Sequence, residues 1–384
     1  MAERIIIRNF GPLREVEIND IKPFLFLIGP SGSGKSTIIK MLAFMRWIYK
    51  MMNIRSYLYY SGVKVSSFKL NIKKHLKLMG MDDFLQKETF IEYTNGSYSF
   101  VYDKKVLPFK KKYIPREELS LEKISFMSER RTVVSEINDG TLSIKKRSFY
   151  ANEVHEDYQR ATEAVNEFGM PGLGVKLLVK KTANGTKHYV ESSNDVDNYS
   201  IFLTHASSGI QSSIPMAVIT EYFTKHFDIV EALNKSVLSF LSDTDSLKYF
   251  RPNQNIGEIP HRRVSLFVEE PEISLYPYAQ RDLMNYMVGA INTVRDYEMS
   301  LVVGTHSPYI ISNLNVMLRR QSPAPHIKSE KIQVYMVAEG HLQDLVAYDE
   351  DTGETVIDSR DLSETMAAIF AEYQSLGHET AVRD

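Results

Sequence analysis

The chain has 384 residues, 43% of them apolar, with a formal net charge of −2 and no cysteine. That composition excludes disordered, collagen-like and coiled-coil classes, and the missing cysteine removes disulfides, thiolate zinc sites and cysteine nucleophiles together. Length allows two or three domains at about 150 residues each, and the near-balanced charge singles out no partner. The start, Met1-Ala2-Glu3-Arg4-Ile5, lacks a signal-peptide pattern, and no apolar run approaches the roughly 20 residues that span a bilayer. The expectation is a cytoplasmic protein with no membrane partner.

Residues 4–18 alternate apolar and polar side chains around Phe10-Gly11-Pro12-Leu13, which predicts two short strands joined by a turn. Phe24 to Ile28 is a continuous apolar run, a buried strand feeding Gly29-Pro30-Ser31-Gly32-Ser33-Gly34-Lys35-Ser36-Thr37. This is a complete phosphate-binding loop of the G-x-x-x-x-G-K-[ST] form, and the helical pattern from Thr37 to Met45 supplies the context it needs. Its glycines let backbone N–H groups curl round a β-phosphate, Lys35 suits β- and γ-oxygens, and the Ser36 hydroxyl suits Mg²⁺. ATP and Mg²⁺ are therefore the expected cofactors.

Residues 57–88 are Lys-, Met- and Tyr-rich with helical spacing, and residues 89–102 form a hairpin about Asn95-Gly96. Residues 54–122 read as an insertion lobe. Lys104, Lys105, Lys110, Lys111, Lys112, Lys145, Lys146, Arg147, Lys176, Lys180, Lys181 and Lys187, with aromatics between several of them, suit either nucleic acid or an ordinary solvated face. Ile124 to Met127 is a short buried strand leading to Arg130 and Arg131, which face nucleotide, a partner subunit or a surface salt-bridge network. Residues 152–168 read as an amphipathic helix ended by Gly169-Met170-Pro171-Gly172, and Val175 to Val190 as a hairpin about Asn184-Gly185.

Thr204-His205-Ala206-Ser207-Ser208-Gly209-Ile210-Gln211 opens a helix, with Ser208 and Gln211 as a capping box. A long helical segment from Ile214 to about Leu247 follows. Val264 to Glu272 is a buried-strand run ending in Glu269-Glu270-Pro271-Glu272, and Ser300 to Pro308 is another, ending in Thr305-His306. Asp361 to Leu376 reads as a capped helix within 361–377, with Asp361 and Glu364 as its box and Leu362, Met366, Ile369, Phe370 and Tyr373 on one face, docked on its own head or offered to an effector.

Taken in this order, the motifs resemble the ABC-type ATPases of the SMC, RecF and OLD group over residues 4–313. The fold expected is α/β, a P-loop NTPase with an ABC-type head, a mixed sheet flanked by helices, and a helical and β-hairpin insertion lobe. The resemblance implies one head over residues 1–384, with a signature-bearing helical lobe at 150–250 and a core at 260–313. It makes Glu269 the Walker B acid that holds Mg²⁺ with Ser36, Glu270 the catalytic glutamate, and His306 the switch histidine. Ser207, Ser208 and Gly209 become a signature that meets ATP bound to another subunit, so the implied partner is a second copy through composite sites.

Ser207 and Glu269 lie 62 positions apart, which disfavours a transport ATPase, and residues 36–207 leave no room for a long coiled coil. Val334 to Gly340 mimics the first Toprim motif of OLD-type nucleases, but only 45 residues follow Glu339, so a plain strand is expected there. What remains resembles the stand-alone ATP-binding subunits of antiphage defence systems, paired with a separate effector protein. A RecF- or SMC-like ATPase that clamps DNA and an ATP-dependent assembly scaffold are the alternatives.

Overall fold

The computed structural model describes residues 2–63, 70–106, 112–138, 149–182, 185–193, 199–242, 259–321, 325–360, 362 and 367–374. The chain opens with an antiparallel hairpin, β1 (Glu3–Phe10) and β2 (Leu13–Ile18), and then enters β3 (Phe24–Ile28), all five residues of which are buried. After the phosphate loop, α1 (Lys35–Tyr60) runs 26 residues. A short α2 (Ile72–Leu78), capped by the Asn71 side chain, precedes β4 (Leu85–Asn95), β5 (Tyr98–Asp103) and β6 (Lys105–Val106). Strand β7 (Ser120–Met127) leads to α3 (Val133–Asn138) and α4 (Phe149–Ala164).

A small antiparallel sheet follows, built from β8 (Glu167–Gly169), β9 (Val175–Thr182), β10 (Gly185–Ser192) and β11 (Ser200–Phe202). Then come α5 (Ser208–Lys225), α6 (Ile229–Ser242), β12 (His261–Glu269), α7 (Pro277–Thr293), β13 (Glu298–Thr305) and α8 (Pro308–Arg319). The last described strands are β14 (Ile332–Ala338), β15 (His341–Asp344), β16 (Val346–Asp349) and β17 (Glu354–Ile357).

The central sheet has the order β15-β14-β3-β13-β12-β7, parallel throughout except for β15. Parallel strands covered on both faces read as continuous apolar runs, and period-two alternation divides their side chains between two cores. Phe26, Ile28, Leu266, Val268, Leu301 and Val303 point to one core, shared with α4, α5, α7 and α8. Leu25, Leu27, Phe267 and Val302 point to the other, where α1 packs under the sheet β2-β1-β4-β5-β6. This is the expected α/β fold with a mixed sheet flanked by helices.

Three boundaries differ from expectation. The hairpin β4-β5 pairs with β1, Ile7 opposite Ile91, and so belongs to the sheet laid down at the N-terminus; residues 54–122 are not a lobe apart. The expected helix 152–168 stops at Ala164, because Phe168 is drawn into β8 opposite Leu177. The segment after the signature breaks at 226–228 into α5 and α6, and its end beyond Ser242 lies outside the described residues. The 150–250 region thus carries a four-stranded sheet as well as helices, and α4 and α5 pack on the main sheet rather than on each other alone. The strand expected at Val334 to Gly340 is β14, beside β3 in the central sheet.

Residues 367–374 are helical, but Ile369, Phe370 and Tyr373 are exposed at 57%, 60% and 73%. Of the expected face, Leu362 packs against the core of the head, whereas Ile369, Phe370 and Tyr373 do not; Asp361, Glu364, Met366 and Gly377 lie outside the described residues. Lys110, Lys111, Lys145, Lys146 and Arg147 also lie outside them.

A buried ion network fastens α1 between the two sheets. Arg46 on α1 donates to both Glu3 carboxylate oxygens at 2.8 and 3.0 Å and to the Ser265 and Ser300 hydroxyls at 3.0 and 2.9 Å. Arg263 donates to Glu3 at 2.7 Å and to Glu122 at 2.9 Å, and Tyr93 donates to Glu3 at 2.6 Å. Burial alone would raise the Glu3 carboxyl, but Arg263 and Arg46 outweigh it and hold it down at about 2, against 4.5 when unfolded. A depressed carboxyl contributes stability that is complete above pH 4.5 and is lost as pH falls towards 2, about 3 kcal/mol over that window. Chemical unfolding of wild type and Glu3→Gln between pH 7 and pH 2.5 checks this. Stability of the wild type is expected to fall more steeply below pH 4.5 than that of the variant; parallel curves would remove the assignment.

Candidate nucleotide site

Strand register brings the motifs together. Ile28 pairs with Thr305, Gly304 with Glu269, and Val268 with Met127, so β3, β13, β12 and β7 end in one row. The loops leaving that row are the phosphate loop, the Glu270 turn, the His306 turn and the segment from Ser128 to Arg131. Carboxyl ends of parallel strands are where α/β sheets bind ligands.

The phosphate loop covers Gly29, Pro30, Ser31, Gly32, Ser33 and Gly34 and turns into α1 at Gly34, which caps the helix without a side chain. The helix N-terminus thus keeps its first N–H groups for an anion. Lys35 is 5% exposed, and its ammonium donates to the Gly29 and Pro30 carbonyls at 2.8 and 2.9 Å. Burial lowers its proton affinity, against the pull of Glu270 and Glu272. Thr37 is buried beneath the loop, whereas Ser36 is exposed at its mouth.

His306 joins the two halves of the site. Its Nδ1 lies 3.5 Å from the Lys35 ammonium and its Nε2 lies 3.3 Å from Glu270 Oε1. Gly304 lies against the Ile39 side chain, whose Cδ1 would be 2.5 Å from an added Cβ and would have to move. Glu272 accepts hydrogen bonds from the His306 backbone N–H and, at 2.9 Å, from the Thr305 hydroxyl. Ser307 caps α8 through Ile310 N–H and donates to Gln280 at 2.6 Å. These bonds fix the turn that carries the imidazole.

Glu269 and Glu270 occupy unlike places. Glu269 is 2% exposed, 3.5 Å from Lys40, and its two oxygens accept no well-formed hydrogen bond, although the Ser36 hydroxyl and Glu129 crowd it. Burial pushes its carboxyl up to about 8, opposed by Lys40 and reinforced by Glu129. A buried carboxylate with free lone pairs beside a serine hydroxyl fits Mg²⁺ by charge and donor type. Among the described residues no set of three or more His, Asp or Glu could cage a metal, so such an ion would take its other ligands from phosphate and water. Glu270, by contrast, is about one-third exposed and stands in the left-handed region at φ 47°. That conformation costs a non-glycine residue about 1 kcal/mol or more, and two bonds hold it: Glu270 N–H donates to the Gly304 carbonyl at 2.7 Å, and Arg131 donates to the Glu270 carbonyl at 2.6 Å.

Arg131 is the residue that sequence reasoning placed wrongly. It is fully buried, facing neither nucleotide nor solvent, and it donates to the carbonyls of Ser128, Ser212, Glu269 and Glu270 at 3.0, 3.1, 2.6 and 2.6 Å. Burial pulls its guanidinium down to about 10. One side chain thereby ties the end of β7, the start of α5 and the acidic turn. Arg130 is 72% exposed beside Glu129. Glu272, Lys40 and Glu129 were also missed; only Glu272 had a signal, its place in the Glu-Glu-Pro-Glu run.

At the start of α5 the cap is Ser207, with no side-chain bond of its own, and Ser207 and Ser208 are exposed. The expected capping box does not form. Gln211 instead donates to the Thr204 and Ala206 carbonyls at 3.1 and 2.7 Å, bracing the entry turn from inside. Gly209 is buried, and an added Cβ would lie 2.5 Å from the Ser274 carbonyl, so its first use is to seat α5 on the loop after Glu272. Among the described residues no hydrogen bond joins Ser207, Ser208 or Gly209 to the phosphate loop of the same chain.

A family model described as an AAA ATPase domain matches residues 50–311, more than half of the chain, with the phosphate loop lying just ahead of the match. No curated protein matches the sequence. Solved structures that resemble the chain include an SMC head bound to the C-winged helix domain of ScpA, 10% identical, covering 90% of this chain and 97% of that one at a TM-score of 0.37. The SMC head domain from Thermotoga maritima is 10% identical, with 93% and 97% covered and a TM-score of 0.33. A dimeric bacterial ABC transporter cassette is 11% identical, with 88% and 96% covered and a TM-score of 0.31. Similarity at this distance carries no functional weight.

Proposed function

Since the chain belongs to the AAA ATPase domain family, we propose that it is an ABC-type ATPase head that closes as a dimer or higher oligomer around ATP and controls a separate effector protein in antiphage defence. The observation that carries the nucleotide chemistry is the shared strand-end row, with Lys35, His306 and Glu270 linked at 3.5 and 3.3 Å. In this reading the loop N–H groups and Lys35 bind the phosphates, while Ser36 and Glu269 hold Mg²⁺, which supplies charge to the β- and γ-oxygens when bound. Glu270 orients and deprotonates water, and His306, braced by Glu272, senses the γ-phosphate.

Oligomerisation is supported by exposed aromatics at the same edge. Tyr276, Tyr278 and Tyr309, at 74%, 66% and 55% exposure, flank Pro277 and Pro308 at the starts of α7 and α8, and tyrosine is enriched at interface cores. The role of a regulator with a separate effector is supported by the placement of β14 inside the central sheet and by the exposed apolar face at 367–374. DNA clamping is less well supported: Lys176 and Lys180 of the small sheet are paired with Glu167 and Glu191 at 3.2 to 3.8 Å. That pairing reduces the positive field nucleic acid requires.

Light scattering on Glu270→Gln protein tests the closure. The molar mass is expected to double with Mg·ATP and to return with Mg·ADP, and the ATP-loaded form is expected to retain an effector from host lysate that mass spectrometry identifies. An unchanged mass in both nucleotides would overturn ATP-gated association.

A further inference from the structure

A cavity of about 520 Å³ lies between α1, α2, β7, α4 and α6. It is separate from the phosphate loop, since the nearest α1 residue in its wall, Ala43, is 8 residues along the helix from Lys35, about 12 Å at 1.5 Å per residue. Its volume falls within the range of small-molecule pockets. One side is apolar, with Phe44 and Trp47 stacked at 6.0 Å and 14° and with Phe227 and Leu233 from the facing elements.

The charged residues of the lining divide sharply. Lys123 is paired with Asp157 at 2.7 Å, Glu122 with Arg263 at 2.9 Å, Lys235 with Glu231 at 2.8 Å and Arg160 with Glu156 at 3.7 Å. Lys50 and Glu153, also in the lining, make neither hydrogen bond nor ion pair among the described residues. Both feel their desolvation: burial, with Lys123 adding repulsion, pulls the Lys50 ammonium down to about 8, and burial raises the Glu153 carboxyl. Lys50 and Glu153 are half-buried beside the cavity and each lies in the other's field, but neither has a hydrogen-bond partner among the described residues, which is costly for a desolvated charged group unless a ligand supplies one. A ligand with one acidic group, one hydrogen-bond donor and a flat apolar body would satisfy both groups and cover the aromatic wall. Polyphosphate is disfavoured by Glu153, Glu156 and Glu231 around the same space.

We propose that this cavity is a second ligand site, for a small aromatic monoacid whose anionic group pairs with Lys50 and whose N–H or O–H is accepted by Glu153. The site stands independently of the nucleotide assignment. Its occupant would bear on α1, which begins at Lys35, and on β7, which leads to Arg131, and this gives the site a route to the nucleotide edge.

Trp47 is the one tryptophan of the chain and lines the cavity, so the full-length protein reports binding by itself. The probe is 8-anilinonaphthalene-1-sulfonate, an aryl sulfonate with an N–H, titrated while energy transfer from Trp47 is followed. One molecule per chain is expected, displaced by naphthalene-1-sulfonate and not by Mg·ATP. Lys50→Met, which removes the cation, and Ala232→Phe, which fills the space and keeps every charge, are each expected to weaken binding at least tenfold, with folding confirmed by circular dichroism. If Lys50→Met does not fold, Ala232→Phe decides alone. Unaltered affinity in the folded variants, several equivalent sites, or displacement by Mg·ATP would overturn the proposal.

Discussion

Glu270→Gln is expected to bind ATP as the wild type does and to hydrolyse it at least about a hundredfold more slowly, the usual scale of a lost general base. Gln keeps the size of the side chain, and the backbone bonds from Arg131 and to Gly304 that hold residue 270 at positive φ do not depend on its carboxylate. Binding should therefore survive. Lys35→Ala is expected to fail earlier, because an apolar side chain leaves the β,γ-phosphate charge without its buried ammonium, and equilibrium binding should fall with turnover. Isothermal titration with ATP and phosphate release measured on the same preparations separate the two. Turnover by Glu270→Gln at the wild-type rate would return the role of base to another group at this edge.

Mixing Lys35→Ala with Ser207→Arg protein is expected to restore hydrolysis that neither has alone. Ser207 is exposed at the start of α5, and among the described residues nothing there bonds to the phosphate loop of its own chain. If the α5 N-terminus meets the γ-phosphate of a second copy, a mixed dimer holds one composite site with both halves intact. At equal input and random pairing about half of the dimers are mixed, each with one competent site of two, so about a quarter of wild-type turnover per chain is expected. The interaction exists only while the γ-phosphate is attached, which makes ATP favour the closed pair and hydrolysis release it. Absence of recovered activity, with mixed dimers demonstrated by tagged pull-down, would make the site self-contained.

Much of this was legible from local signals. The phosphate loop and the apolar strands that lead to it, to Glu269 and to His306 each depend on a few consecutive residues, and each stands where the pattern placed it. The small-sheet hairpin and the plain strand at β14 were legible for the same reason. Where local reading went astray, a distant partner had decided. Phe168 left its helical pattern to pair in β8, and Gln211 bonded backward to Thr204 and Ala206 because Ser207, one residue earlier than expected, is the cap.

Motif and hydrophobic period are written in neighbouring residues, and from them alone the chain reads as an α/β nucleotide-binding protein with its phosphate loop, acids and histidine in a fixed order. Packing in three dimensions is what ends Ile28, Glu269 and Thr305 in one row, lets Arg131 grip the carbonyls of residues 138 and 139 positions away, and shares Glu3 between Arg46 and Arg263. Those contacts join elements that lie far apart along the chain, and a buried guanidinium or carboxylate is satisfied by whichever groups packing brings to it, which the residue's own neighbours do not encode.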